Sequence, residues 1–277
     1  MNYKKTSIVV FTILAILTLC AVFTVYMFIG SGAKEKKSAK AFLQLLSSNN
    51  IITMNKENDK YKSTKKSDPS KNEEYYSVVS GEYAIDVDAK YNVIGFTNKN
   101  SMADKSKITA DEAKSIGEKY LGIIYKGECR FKEVVKEEET QVMPYYSLLF
   151  TKYKDGYPFY NYNLSLKVNK ETGKLDGFSN SSIDKEPKNV KINIDELNAS
   201  EISKGEFLKL YKSAEFNEKT YKAYSENKDK TELELCYVVS LKGLGENNKE
   251  IKMKYFVSTE TGDIINSEKS NVTGTSA

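Results

Sequence analysis

Apolar residues run from Ile8 to Ile29 as 22 consecutive positions without a charge. At helical rise this stretch spans about 33 Å, enough to cross the hydrocarbon core of a bilayer. The pattern predicts a single transmembrane helix that stays attached, because the run is too long for a signal-peptide core. Cleavage at Gly30-Ser-Gly-Ala33 is the alternative. Leu17-Thr-Leu-Cys20 misses a lipidation signal, since Leu rather than a small residue precedes the cysteine.

Beyond the run, Ser38 to Leu46 places Phe42, Leu45 and Leu46 on one helical face. Such a face packs on the protein's own body or on lipid, with a partner helix as the alternative. Residues 55–72 hold almost no apolar side chain and include Pro69, so they read as a linker or exposed loop.

From Tyr75 the apolar period changes to two. Tyr75–Val79, Glu82–Val87 and Val93–Phe96 form a predicted antiparallel meander. Thr109-Ala-Asp-Glu112 is a capping box opening a helix whose apolar stripe is Ala113, Ile116, Tyr120, Leu121 and Ile124. Strands follow at Phe131–Lys136, Tyr145–Tyr153, Phe159–Val168 and Leu175–Phe178, with turns at Asp155-Gly156 and Asn169–Gly173. The same order then returns. Ser203-Lys-Gly-Glu206 reads as a second capping box, with Phe207, Leu208, Leu210 and Tyr211 behind it. Leu233–Leu241, a turn at Gly243-Leu-Gly245, Ile251–Val257, the turn Ser258–Gly262 and Ile264-Ile265 complete the second unit. Gly173 aligns with Gly262 at a shift of 89 residues, and Asp88–Ile94 is a worn third copy of this strand-turn-strand segment.

Helix, hairpin and closing turn together resemble the PepSY-like modules, most closely the YcdB/YcdC repeat type of bacterial envelope proteins. The residues that carry the likeness are Ile108-Thr-Ala-Asp-Glu-Ala113, Asp155-Gly-Tyr-Pro158 and Val168-Asn-Lys-Glu-Thr-Gly173. The second unit keeps the closing strand and turn but lacks the Asp-Gly-Tyr-Pro hairpin. The resemblance implies an extracytoplasmic module that restrains a peptidase or serves as an envelope sensor. An anchor followed by such modules is also similar in layout to the YycH/YycI-type proteins that hold a sensor histidine kinase in check, an analogy of architecture alone.

The expected fold class is therefore α+β: an N-terminal transmembrane helix followed by tandem PepSY-like units, each one helix packed on an antiparallel sheet. The expected organisation is a cytoplasmic tail and anchor over 1–30, a juxtamembrane helix and linker over 31–72, a first unit with its meander over 73–185, a degenerate second unit over 186–268, and a tail over 269–277. A short tail before a long apolar segment and a large body is the layout of a signal anchor, which places the body outside the cytoplasm; the lysines flanking the run do not decide its orientation by charge.

Composition narrows the chemistry. The chain of 277 residues has no His and no Trp, which removes Ser-His-Asp and Cys-His catalysis and the usual histidine-containing zinc sites. The net charge of +4 is local, because residues 1–72 hold 12 Lys against 4 acidic residues. The body is slightly acidic and its one arginine is Arg130, so nucleic acid is not an expected partner. Cys129 and Cys236 read as two buried thiols, with one disulfide as the alternative. Asp86 and Asp88 share a strand face but are too few to hold a cation, and no cofactor or metal is expected. No Ser-Lys pair stands out, and an enzyme is not expected.

The one candidate interaction surface is aromatic: Tyr145, Tyr157, Phe159, Tyr160 and Tyr162, on two neighbouring strands. Alternation sends part of this set to each face, so one face offers tyrosines to a protein or peptide. The expected function is a membrane-anchored extracytoplasmic binding or regulatory protein, modulating a peptidase or a sensor histidine kinase. Its expected partners are the membrane and another membrane or envelope protein. A structural envelope protein binding wall polymer is the alternative.

Overall fold

The computed structural model describes residues 33–55, 60–68, 73–136, 142–181, 183, 185–245 and 249–270. The run Ile8–Ile29 assigned above to an anchor lies outside them. Among the described residues no helix is long and apolar enough to cross a membrane.

The described chain forms helices α1 (Ala33–Ser48), α2 (Ala110–Ile124) and α3 (Glu196–Leu208). Its strands are β1 (Lys62–Asp68), β2 (Glu73–Ser80), β3 (Tyr83–Asp88), β4 (Val93–Asn98), β5 (Glu128–Val134), β6 (Tyr145–Lys154), β7 (Tyr157–Asn169), β8 (Leu175–Asn180), β9 (Glu215–Phe216), β10 (Tyr221–Glu226), β11 (Leu233–Leu244), β12 (Glu250–Ser258) and β13 (Ile264–Ser270).

These 13 strands belong to one mixed sheet. This corrects the expected fold class, in which a transmembrane helix precedes α+β units of one helix on an antiparallel sheet. The described protein is sheet-dominated, and β10 pairs with β7 in parallel at Tyr224 and Phe159. Alternation identifies strands singly and is blind to which edges meet. It also passes over strands that lack an apolar face. β1, Lys-Ser-Thr-Lys-Lys-Ser-Asp, occupies part of the stretch whose composition predicts a loop, and it pairs antiparallel with β2 from Lys62↔Val79 to Asp68↔Glu73. It ends the strand order, where lysines guard an edge against further pairing.

The chain divides into two compact units, and β5, β6 and β7 contribute residues to both. Unit one takes in the described residues up to Tyr125, Glu133–Leu149 and Ser165–Asn180. α2 begins as expected: the Thr109 amide donates to Glu112 Oε2 at 2.7 Å and the Glu112 amide to Thr109 Oγ1 at 3.2 Å. It buries Ala113, Gly117 and Leu121. α1 turns Ala39, Phe42, Leu43 and Leu46 inward and leaves Leu45 exposed. Its apolar face is therefore covered by the protein's own sheet, with the Phe42 ring 6.0 Å from Phe96 and 5.9 Å from Phe178.

Unit two takes in Lys126–Lys132, Phe150–Leu164 and the described residues from Ser181 onward. Strands β10, β11, β12 and β13 are consecutive neighbours, with β9 on β11. Both faces of this sheet carry core: Ala199 and Phe207 of α3 pack on Tyr237, Val239, Leu241, Tyr255 and Val257, while Ala223, Cys236, Val238 and Phe256 form the other side. α3 starts earlier than its apparent capping box. Asp195 is the N-cap, accepting from the Asn198 amide at 2.8 Å, and the Ser203 hydroxyl instead donates to the Ala199 carbonyl at 2.9 Å. Gly243 lies inside β11 rather than in a turn, and a Cβ there would stand 1.9 Å from the Ser213 carbonyl oxygen.

Candidate binding surface

The closing turn recurs in atomic detail. In unit one the Gly173 amide donates to Asn169 O at 3.0 Å and the Asn169 amide to Lys174 O at 2.9 Å. In unit two Gly262 donates to Ser258 O at 3.0 Å and Ser258 to Asp263 O at 2.8 Å. Both glycines sit at positive φ, +69° and +81°, which glycine adopts without strain. Turn side chains cap the amides that follow: Asn169 Oδ1 accepts from Glu171 and Thr172, and Ser258 Oγ from Glu260 and Thr261. In each unit the segment leading into the helix also docks on the turn. Ile108 N–H donates to Lys170 O at 3.1 Å, and Ile194 N–H to Thr259 O at 3.1 Å. Ile116 lies against Gly173 as Ile202 lies against Gly262.

The third copy, β3–β4, shares its strand register with unit two. Val93 pairs with Val87 and Gly95 with Asp86, skipping Ile94; Ile264 pairs with Val257 and Asn266 with Phe256, skipping Ile265. This bulge turns Phe96 and Ser267 to the same side as their ladder partners Ile85 and Tyr255.

The units then part company. In unit one Phe178 is buried under Phe42, and Leu175 N–H donates to Ile51 O at 3.0 Å. The segment α1–Ile52 covers this side of the sheet. In unit two the corresponding side is an open groove of ≈ 510 Å³. Ile202, Glu206 and Leu210 form its helical wall, Met253, Tyr255, Ile264 and Ser267 its floor, and Gly262 and Asp263 one end. Leu210 is 62% exposed. Burial pushes the Tyr255 phenol up to about 12, so it stays protonated, and its hydroxyl lies 3.6 Å from Met253 Sδ. Glu206 pairs with Lys209 at 2.5 Å on the exposed side of α3.

The aromatic residues singled out in the sequence do not converge on one face. Phe159 is buried and stacks on Tyr224 at 5.0 Å, with Tyr157 and Tyr162 packed edge-on to this pair. Tyr160 lies edge-on to Phe256 at 4.6 Å and donates to Glu268 Oε2 at 2.7 Å. Alternation separates Phe159 from Tyr160, and Asn161, at φ 62°, breaks it so that Tyr162 rejoins the Phe159 side. Tyr145 belongs to unit one, where Lys167 Nζ sits 4.6 Å from its ring centre. The groove residues were visible in the sequence only as apolar positions of the second unit. The signal that marks them is the loss of Phe at the position of Ser267.

The remaining chemical candidates are absorbed by the fold. Asp88 caps its own turn, accepting from the amides of Lys90 and Asn92 at 2.8 and 2.7 Å. Cys129 and Cys236 are free thiols, and burial pushes the first up to about 11 and raises the second as well. Lys152 is buried and its ammonium donates to the Ser181 carbonyl.

No family model and no curated protein matches the chain. Among solved structures it is similar to the Bacillus megaterium YpeB C-terminal domain at 19% identity and a TM-score of 0.47, over 85% of this chain and 95% of that one.

Proposed function

We propose that the protein is a membrane-tethered extracytoplasmic binding and regulatory protein that modulates a membrane-associated peptidase or a sensor histidine kinase. The observation that carries this proposal is the groove between α3, β12 and β13. It is an apolar surface left open in unit two at the position that unit one covers with its own helix. The uncharged run Ile8–Ile29 supports the tether, and the PepSY-like motifs at Ile108–Ala113 and Val168–Gly173 support the class. Thiols held protonated by burial favour binding over nucleophilic chemistry.

The test is chemical crosslinking of the full-length protein in intact cells, followed by solubilisation and mass spectrometry. Enrichment of one peptidase or histidine kinase is expected. Recovery of wall fragments alone, or of no partner, overturns the proposal and moves the assignment to a wall-binding envelope protein.

A further inference from the structure

The repeated architecture shows what kind of object covers this side of the sheet. In unit one the cover is α1, a helix carrying Lys34, Lys36, Lys37 and Lys40 beside its buried Phe42. It is followed by Ile51, whose carbonyl accepts from Leu175 N–H. At the equivalent positions of unit two, Ile264 is half-buried and Ser267 is exposed. Replacing Phe178 by Ser267 removes the ring on which Phe42 rests, which leaves space for a side chain brought from elsewhere.

The electrostatics of the groove select among occupants. Lys174, the residue after Gly173, donates its ammonium to the Asn50 carbonyl at the end of α1. Asp263 takes that position after Gly262, so the group presented to an occupant changes from a donor cation to an acceptor anion. Glu206 on the helical wall is already paired with Lys209. Asp263 is exposed. An apolar lining of Ile202, Met253, Tyr255 and Ile264 beside the exposed Asp263 carboxylate suits a helix with one bulky apolar residue and a flanking cation.

We propose that the groove of unit two docks an amphipathic helix of a partner protein, one that presents an aromatic or aliphatic anchor flanked by lysine or arginine. This rests on the binding function proposed above and names the chemistry of its partner. The edge strand β13 argues against a second copy paired alongside the groove. It reads Ile-Ile-Asn-Ser-Glu-Lys-Ser, with a Glu-Lys pair on an edge that ends the strand order, a composition that discourages edge-to-edge pairing.

The probe is a fluorescent peptide of residues 33–53 of this chain carrying Asn50→Lys, which sets a cation at the helix end whose Asn50 carbonyl meets Lys174 in unit one, titrated into the full-length protein in lipid nanodiscs. Saturable binding is expected, weakened about tenfold or more by Leu210→Asp and by Asp263→Lys, and by Phe42→Ala in the peptide. Leu210 and Asp263 are exposed, so both variants keep the fold. Absent saturable binding, or binding equal in wild type and both variants, overturns the proposal; the second result means the peptide has displaced α1 in unit one. Self-association of the protein alone that Leu210→Asp abolishes also overturns it, by making a second copy the occupant. The cellular crosslinking result is independent: a partner captured there while the peptide fails leaves the binding function standing and removes only this assignment.

Discussion

Phe96 and Phe178 stand opposite each other in the antiparallel ladder that joins β4 to β8. Their flanks repeat: β4 reads Val-Ile-Gly-Phe-Thr-Asn and β8 Leu-Asp-Gly-Phe-Ser-Asn. Gly95 faces Ser179 and Thr97 faces Gly177, so each glycine meets a small hydroxyl residue across the ladder. Two copies of one closing strand thus meet about a local two-fold, and Phe42 of α1 touches both rings.

That contact yields the first prediction. Phe42→Ala removes a buried ring from both partners and is expected to cost about 3–4 kcal/mol of unfolding free energy, against less than about 0.5 kcal/mol for Leu45→Ala on the exposed side of α1. Urea midpoints at unchanged slope would check the contrast. Equal effects would mean that α1 does not hold the closing strands together.

Three glycines give a graded second test. A Cβ on Gly243 would lie 1.9 Å from the Ser213 carbonyl oxygen and 2.6 Å from Phe207 Cε1, so backbone must move. Gly243→Ala is expected to cost about 2–3 kcal/mol. At Gly117 the obstacle is Leu148 Cδ1, at 2.2 Å. That methyl is the end of a flexible side chain, and alanine gains about 1 kcal/mol of helix propensity, so the net cost is expected near 1 kcal/mol. Gly205 in α3 meets nothing within 4 Å, and Gly205→Ala should stabilise by about 0.5–1 kcal/mol. Thermal unfolding of the three variants orders them, and a reversed order would contradict the packing described here.

Much of this arrangement is written in local pattern, and the limit of legibility is physical. The α2 capping box, the turns at Gly173 and Gly262 and most strand cores follow from side-chain chemistry within a few residues. What lies across the sheet does not. Phe96 and Phe178 are far apart in sequence, and nothing local indicates that their strands meet. The Ser203–Glu206 capping pattern was misleading because Asp195 caps the helix eight residues earlier. The groove escaped because an open surface is defined by what does not cover it, and Ser267 is informative only beside Phe178. Within the aromatic set on β7, alternation already opposes Phe159 and Tyr160, and only Tyr162 departs from it, because Asn161 at positive φ resets the face of the residue that follows.

A third prediction concerns Asp176, buried in unit one. Its carboxylate accepts from Asn98 Nδ2 at 3.0 Å, from Asn169 Nδ2 at 2.7 Å and from the Ser101 hydroxyl at 2.5 Å. Asn169 in turn caps the closing turn. Asp176→Ala strands three donors and is expected to cost about 3 kcal/mol, with Asp176→Asn milder because one oxygen acceptor remains. Amide hydrogen exchange supplies the diagnostic readout: protection of the Glu171 and Thr172 amides should fall in the alanine variant. Unchanged protection would show that Asn169 holds the turn without Asp176.

The last prediction turns on Lys152, buried in β6 with its ammonium on the Ser181 carbonyl. Burial lowers its pKa from 10.5 to about 8, partly opposed by Cys129. Between those values the unfolded chain holds a proton that the folded one has released. This group therefore makes stability rise with pH across that window, and its burden is full below pH 8. Cys129 acts oppositely, since burial raises its thiol from 9.0 to about 11 and stability falls as the unfolded thiol ionises first. Comparing Lys152→Met with wild type isolates the lysine. The variant loses the hydrogen bond to the Ser181 carbonyl, about 1 kcal/mol at every pH, while its relief from the buried charge shrinks as pH rises. The stability difference between the two proteins should shift by about 2–3 kcal/mol against the variant from pH 7 to pH 10.5. Denaturant titrations at half-unit steps would trace that shift, and parallel pH profiles would mean that Lys152 keeps an ordinary pKa in the folded protein.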